Sequence, residues 1–431
     1  MKYLIILADG AADEPVAALD GKTPLEAARK PHIDRLAREG VTGRLVTVPD
    51  GFHPGSEIAH LGLLGYDIGA VFEGRGSLEA ASMGVPIEDG EVAMRCNLIT
   101  TTPDGRIKNH SAGNITTEEA AELMAYLGRE LGSEGVRFYA GVSYRHLLKV
   151  RGRIPQPDGA GTAPVSKLVR CVPPHDVPGQ AWQDKLPEAE AGHPEAEATA
   201  ALLRCLILRS MELLPQHPVN RRRAAEGKDM ATAIWPWSLG YRPSMRPLAD
   251  RFPIRTGAVI SAVDLIFGIG VYAGLEKVEV PGATGLHDTN YEGKAAAALA
   301  ALRERDFVFV HVEATDEAGH EGDAALKTRC VEYLDDRLLR PIVAEVATWD
   351  EPVRIALLPD HPTPCALRTH TAEPVPVLIW QSKPDPASGA TLRPDAVATY
   401  SEAACQGGAL GLMQGDGFIR ALFGRTETHN P

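Results

Sequence analysis

Four short stretches of the chain carry residue types that do chemistry together. Asp9 is followed by Gly10, and Ser56 stands within Pro54-Gly55-Ser56-Glu57. Asp316-Glu317-Ala318-Gly319-His320 sets a carboxylate four residues from an imidazole, a spacing that puts both on one face of a helical turn. Asp360-His361 is followed at a short distance by His370. Three carboxylates (Asp9, Asp316, Asp360) and three imidazoles (His320, His361, His370) make a mixed oxygen and nitrogen donor set. Such a set suits Mn²⁺ or Zn²⁺ better than Ca²⁺, with Mg²⁺ as a further option. Two divalent ions about 4 Å apart clamp a phosphoryl group and lower the pKa of a coordinated hydroxyl. Ser56 is the candidate hydroxyl, because Ile58–Leu64 after it reads as a helix whose free N–H groups favour a phosphate there. A phosphoserine splits a transfer into two in-line displacements.

Each stretch also has an ordinary explanation. Asp-Gly is a common turn, Ser before a helix a common N-cap, Asp316 with His320 a solvated helix start, and Asp360-His361 a loop pair. The chemical reading gains from a shared position. All fall at strand ends of one α/β pattern, and open α/β sheets place their sites at the carboxyl ends of strands.

The elements that must position them follow a strand, loop, helix rhythm. Lys2–Leu7 is a short apolar run ending in Ala8-Asp9-Gly10. Thr23, Pro24 and Glu26 form an N-terminal helix signature, with an apolar stripe that runs to Gly40. Arg44–Val48, Asp306–Val312, Arg354–Leu358 and Val375–Trp380 read as strands, and Asp323–Ala347 as a helix. In the middle, Thr116 opens a helix through Leu131, Arg137–Val150 holds two strands, and Lys185–Ala201 begins a helix that runs through Leu214, after a Pro/Gly loop at Pro155–Gly161. The expected architecture is an α/β catalytic domain over 1–88 and 245–431, with a smaller α+β domain inserted over 89–244.

Bulk properties narrow the function. The 431 residues allow about two or three cores. A net charge of −13, with Arg221-Arg222-Arg223 as the one basic block, argues against duplex nucleic acid. No apolar run reaches the roughly 18 residues that span a bilayer. The opening Met1-Lys2-Tyr3 lacks a signal-peptide layout, and the six cysteines form no CxxC pair, so a cytoplasmic protein with reduced thiols is expected.

Asp9-Gly10, Lys22–Gly40, Gly55–Asp67 (GSEIAHLGLLGYD), Glu73–Ala80 (EGRGSLEA), Arg95-Cys96-Asn97, Pro281–Ala295, Asp316–His320, Pro359-Asp360-His361 and Thr369-His370-Thr371 together resemble the alkaline phosphatase superfamily. Within it the chain is similar to the archaeal-type cofactor-independent phosphoglycerate mutases. The resemblance implies an alkaline-phosphatase-like three-layer α/β sandwich and an inserted domain that closes over substrate. It implies that Asp9, Ser56, Asp360 and His361 hold one ion and Asp316, His320 and His370 the other. Ser56 would take phosphate from one carbon of phosphoglycerate and return it to the other. Arg75, Arg95, Arg145, His146, His175 and Asp176 are the candidate substrate contacts, since guanidinium groups grip carboxylate and phosphate in pairs of bonds. Two departures stand out. Asn109-His110-Ser111-Ala112-Gly113-Asn114 lies where those mutases carry arginines, and Trp235–Gly240 lacks an Arg-Gly pair. A bacterial branch with this string has been proposed as homoserine kinase, which makes that the alternative expectation. No G-x-x-x-x-G-K-[ST] loop is present to hold a nucleotide.

Overall fold

The computed structural model describes residues 1–157, 159, 161–386, 389–395 and 397–424, so Asp158 and Ala160 of the expected Pro/Gly loop lie outside it. The chain forms two compact units, Met1–Phe72 with Ser244–Pro431, and Glu73–Pro243. The first division therefore falls before Glu73 and not after residue 88. Helix Arg75–Ser82 belongs to the second unit because it packs on that unit's sheet. Its Gly76 lies so close that a Cβ would meet Met94 Cα at 2.4 Å and the Ser238 carbonyl at 2.6 Å. The second division falls at Pro243/Ser244.

The first unit is built on an eight-stranded sheet. Its order is Glu276–Val278, Gly257–Ile260, Phe307–Val312, Lys2–Ala8, Val353–Leu358, Val375–Gln381, Val41–Leu45 and Leu412–Met413. The first five run parallel; Val375–Gln381 is antiparallel to both of its neighbours. Lys2–Ala8, Phe307–Val312 and Val353–Leu358 are buried along their whole length. That burial on two faces explains why their sequences show no alternation. Leu4, Ile6 and Ala8 pack in one core with residues of helices Pro31–Glu39 and Tyr291–Glu304. Tyr3 points the other way, edge-on to Phe423 at 4.6 Å on helix Gly417–Phe423. The unit is thus helix, sheet, helix in three layers.

Two expected helices are interrupted, each by proline. The run from Thr23 forms Pro24–Ala27 and then Pro31–Glu39. Lys30, before Pro31, sits at φ −129°, ψ 61°, outside the helical region that a following proline disfavours. The Thr23–Glu26 capping box closes as the sequence implies. The stretch from Asp323 is helical throughout but widens to a π-helix over Leu334–Leu339, just before Pro341, which offers no N–H. Asp335 in that turn accepts the Ile33 N–H at 2.6 Å and so covers the open end of Pro31–Glu39.

The second unit is an antiparallel sheet ordered Ala233–Gly240, Glu91–Thr101, Arg145–Arg151, Val136–Tyr139, with Ile107–Asn109 pairing Glu91–Thr101. Val92, Met94, Cys96 and Leu98 face helices Thr117–Glu130 and Glu197–Leu213. Ala93 packs with Ala80 of helix Arg75–Ser82 on the opposite face. The helix expected from Lys185 begins at Glu197 instead, since Pro187, Gly192 and Pro194 break the preceding stretch.

Candidate active site

Three parallel strands of the first unit deliver the site. Lys2–Ala8 ends at Asp9, Val353–Leu358 at Asp360 and His361, and Phe307–Val312 leads into helix Ala314–Glu321, which carries Asp316 and His320. Gly10 is no ordinary turn residue. It sits at φ +60°, its N–H donates to Asp360 Oδ1 at 3.0 Å, and a Cβ there would meet Asp316 Oδ1 at 2.5 Å. Ser56 is no N-cap. Gly55 holds that position, Ser56 is the first residue of helix Ser56–Leu63, and no side chain caps the helix. Its Oγ instead lies 3.2 Å from His361 Nε2.

The seven residues converge as two overlapping groups. Asp9, Asp360 and His361 bring ligand atoms within 4.8 Å of one another, as do Asp316, His361 and His370. The His361 and His370 rings stack at 3.9 Å. His320 Nε2 lies 3.3 Å from Asp316 Oδ2 and 2.9 Å from His370 Nε2.

The hydrogen bonds around these groups show which atoms remain free. His320 Nδ1 is 3.0 Å from the Arg368 carbonyl, and His370 Nδ1 is 3.0 Å from the Pro54 carbonyl. A carbonyl only accepts, so both Nδ1 atoms carry hydrogen and, with neutral rings, both Nε2 atoms present lone pairs. Two lone pairs facing at 2.9 Å repel unless a proton or a cation lies near both. Asp360 Oδ1 accepts the Gly10 and His361 N–H groups, and Asp9 Oδ2 takes His311 Nε2 at 2.7 Å. The other oxygens, Asp9 Oδ1 and Asp360 Oδ2, are buried without a hydrogen-bond partner. They lie 3.7 Å and 3.3 Å from His361 Nε2. Unpartnered buried carboxylate oxygens are costly, and divalent cations offset that cost. The residues therefore fit two divalent metal ions.

Titration behaviour carries the same imprint. Burial, with Asp360 and Asp316 close by, pushes the Asp9 carboxyl well above the usual range. Glu313, partly buried and beside Asp316, is raised to about 8 by desolvation and by that neighbouring carboxylate. Asp316, in spite of burial, is held far below its usual value by bonds from His320 and His370, while the bond to Asp316 raises His320 to about 9. Negative charge is thus in excess, and the protein without cations compensates with protons.

The substrate candidates lie in the second unit, and five of the six lie together. The Arg95 guanidinium is buried, pairs with Glu79 at 2.9 Å and lies 4.7 Å over the Trp237 ring. Trp237 Nε1 donates to Asn97 Oδ1, and His175 meets the Trp237 ring edge-on at 5.3 Å. Asp176 is 3.5 Å from His175, and Arg145 stacks over Tyr144 at 5.8 Å. Burial lowers the Arg95 pKa; Arg75 and Arg145 lower it further by repulsion, which places all three guanidinium groups within electrostatic reach. Arg75 Nε and Arg95 Nε are buried without partners. His146 stands apart. It pairs with Cys96 in the strand register, so it faces the helical core on the other side of the sheet. Its Nδ1 accepts the Gly141 N–H, and burial drops it to about 3.

The comparisons agree on one family. A family model described as 2,3-bisphosphoglycerate-independent phosphoglycerate mutase matches residues 37–220. A protein of that name from Methanosarcina acetivorans is 45% identical over 422 residues, covering 98% of this chain and 99% of its own. Another from Methanothermobacter thermautotrophicus is 47% identical over 414 residues, with 96% and 95% covered. The chain belongs to the 2,3-bisphosphoglycerate-independent phosphoglycerate mutase family. Among solved structures, a Pyrococcus horikoshii protein superposes at TM-score 0.79 and 27% identity over 100% of this chain and 99% of its own. The cofactor-independent phosphoglycerate mutase of Thermoplasma acidophilum shares the fold at TM-score 0.66 and 24% identity, with 99% and 100% covered. These curated relatives carry the mutase name, so the homoserine kinase alternative has no support from them.

Several residues around the two candidate ligand groups were not singled out by the sequence. Thr363 Oγ1 donates to Asp316 Oδ1 and lies 3.3 Å from His361 Nδ1, linking the two ligand groups. Lys327 Nζ, fully buried, donates to Asp13 Oδ2 (2.7 Å), the Ala12 carbonyl (3.0 Å) and the Thr363 carbonyl (2.8 Å). It joins the loops that carry Asp9 and Asp360. Breaking such a pair from one side costs about 3–5 kcal/mol. His110 joins the arginine patch, edge-on to Tyr144 at 5.4 Å and to His175 at 6.0 Å. His311 had a legible signal, an imidazole inside the otherwise apolar DFVFVHV run; Lys327 and Thr363 had none.

Proposed function

We propose that this chain interconverts 3-phosphoglycerate and 2-phosphoglycerate through a phosphoserine at Ser56, without nucleotide or bisphosphoglycerate. The observation that carries the reading is the placement of Ser56 Oγ 3.2 Å from His361 Nε2, the imidazole shared by both ligand groups. Asp9 Oδ1, Asp360 Oδ2, His361 Nε2 and Ser56 Oγ would hold one divalent ion; Asp316, His320 and His370 would hold the other. The mixed donors favour Mn²⁺ or Zn²⁺, with Mg²⁺ as a weaker fit. When bound, the ions supply charge neutralisation on the phosphoryl oxygens and a lowered pKa at Ser56.

Ser56 Oγ attacks phosphorus in line. The bond from phosphorus to the glycerate oxygen breaks, that oxygen gains a proton, and Ser56 gives one up. After the glycerate turns, its other hydroxyl attacks the phosphoserine, loses its proton and restores Ser56. Atoms balance and no nucleotide is consumed. Helix Ser56–Leu63 turns its N–H groups toward the serine, which suits the bound phosphate. Arg75, Arg95, Arg145, His175 and Asp176 would bind the anionic and hydroxyl groups of glycerate; His146 is withdrawn from that set by its place in the core. His110 stands beside them in place of an arginine.

The partner is then a small phosphorylated acid. We place the enzyme in the cytoplasm, in keeping with its six unpaired cysteines. Among the described residues no helix is long and apolar enough to cross a membrane. The test is formation of 2-phosphoglycerate from 3-phosphoglycerate by the Mn²⁺-loaded protein with no nucleotide added. Failure there, together with ATP-dependent phosphorylation of homoserine, would overturn the reading.

A further inference from the structure

A buried row of polar groups lies behind Asp9, and the phosphoryl transfer does not use it directly. Ser261, just beyond strand Gly257–Ile260, is 2% exposed, and His311 on strand Phe307–Val312 is 0% exposed. Ser261 Oγ accepts the Val263 N–H at 3.0 Å and lies 3.0 Å from His311 Nδ1. His311 Nε2 lies 2.7 Å from Asp9 Oδ2. Lys294 Nζ donates to the His311 carbonyl at 2.8 Å and holds the backbone at that point.

One tautomer satisfies all these contacts when Asp9 is ionised, as a metal ligand must be. If Nδ1 carried the hydrogen, Nε2 would aim a lone pair at a carboxylate oxygen 2.7 Å away. With the hydrogen on Nε2, the imidazole donates to Asp9 Oδ2 and Nδ1 accepts the Ser261 hydroxyl hydrogen. The Ser261 oxygen keeps a lone pair for Val263. Each donor meets an acceptor along the row. Serine, histidine and aspartate in series also make up a hydrolase triad, but Ser261 is sealed from any substrate and its hydroxyl is committed.

We propose that Ser261 and His311 are positioning residues for Asp9: they pin Oδ2 so that Oδ1, buried and otherwise unpartnered, faces the cation held with Asp360 and His361. The inference rests on the reading of Asp9 as a metal ligand. Donors that orient a ligand in this way change metal affinity by about 10- to 100-fold when removed. The Asp316, His320 and His370 group is oriented by other bonds, so one of the two ions should be affected and the other spared.

The experiment titrates EDTA-stripped full-length protein with MnCl₂ by calorimetry. His311→Met is expected to weaken one Mn²⁺ site by about 10- to 100-fold and leave the other within about threefold. His311→Gln, whose amide nitrogen reaches the place of Nε2, is expected to restore most of that loss. Wild-type tightness at both sites in the Met variant would overturn the proposal, as would a folded Gln variant no better than Met. Should the Met variant not fold, ¹⁵N spectra of wild type and Ser261→Ala loaded with diamagnetic Zn²⁺, which keeps Asp9 ionised, decide. Hydrogen on Nε2 in the wild type and a mixture in Ser261→Ala support the relay; hydrogen on Nδ1 in the wild type overturns it. Wild-type protein that binds Mn²⁺ but leaves 3-phosphoglycerate untouched would sink the proposed activity and leave this inference standing on the titration.

Discussion

The ligand cluster of the first unit and the arginine patch of the second solve different physical problems. Asp9, Asp360 and His361 sit at strand ends, are buried to 2% exposure or less, and are pinned by backbone N–H groups and by neighbouring side chains. Their free atoms are decided by what the other atoms of the same side chains already bind. Arg75, Arg95, Arg145 and His175 sit on or beside an antiparallel sheet: Arg95 and His175 meet the Trp237 ring, Arg145 the Tyr144 ring, and Arg95 pairs with Glu79, while the guanidinium groups repel one another. Ring contacts fix a plane and leave rotation about it. Under the proposed function, the first arrangement suits a transfer whose geometry must not vary, and the second would suit recognition of anionic groups.

The sharpest way to break that contrast is at the nucleophile. Ser56→Ala is expected to lower kcat by about 10⁴-fold or more, because no other hydroxyl takes its place, while Mn²⁺ affinity falls by less than about tenfold. A coupled enolase assay and calorimetry measure the two arms. Normal turnover in this variant would remove the covalent step.

Metal removal should come next in size. EDTA is expected to abolish turnover, with recovery on adding Mn²⁺, and saturating Mn²⁺ should raise the melting temperature of the stripped protein by about 5–10 °C. A melt indifferent to EDTA and Mn²⁺ would mean that the buried carboxylates of the first unit need no cation.

The pH dependence of the stripped protein tests the same charge excess. His320 is raised to about 9, so the stability it contributes is complete below its ordinary value near 6.5 and is lost as pH climbs through 9. Asp9 and Glu313 are raised as well, Glu313 to about 8, so holding them as neutral acids favours the fold less and less above their ordinary carboxyl range. Both effects act in one direction between about pH 6.5 and 8, where stripped protein should lose stability; below that window the buried imidazoles of His311, His361, His60 and His146, lowered by burial, oppose them, and above it Lys294, lowered to about 8 by burial, does. Asp316 opposes them only in strong acid, since its lowered value places its titration below that window. With Mn²⁺ the trend should flatten or reverse, because the metal displaces those protons. Thermal melts at several pH values, with and without the ion, check the sign.

The smallest effect belongs to the patch. Arg145→Ala is expected to raise KM for phosphoglycerate about tenfold with kcat nearly unchanged, and to weaken the salt dependence of binding. A fall in kcat with unchanged KM would show that this arginine acts on the transfer and not on recognition.

Much of the site was legible in the chain. The continuous apolar runs announced strands buried on both faces, and the polar residues at their ends followed from the rule that α/β sheets present sites there. The capping box at Thr23 closed as written, and Pro31 and Pro341 held the interruptions that the apolar stripe concealed. The domain edge near residue 73 was not legible, because a helix after a glycine can pack on either sheet and only the fit of Gly76 against Met94 decided it.

By itself the sequence determined the inventory: which donors exist, which strands are buried, where a serine meets a helix start. The tertiary structure decided which oxygen or nitrogen of each side chain stays free, that His146 turns into the core while His110 joins the arginines, and that His311, Thr363 and Lys327 brace the ligands. The physical reason is that strand and helix formation depends on neighbours in the chain, whereas hydrogen-bond partners 300 residues apart, such as Asp9 with His311 at a separation of 302, exist only once the sheet has brought its strands together.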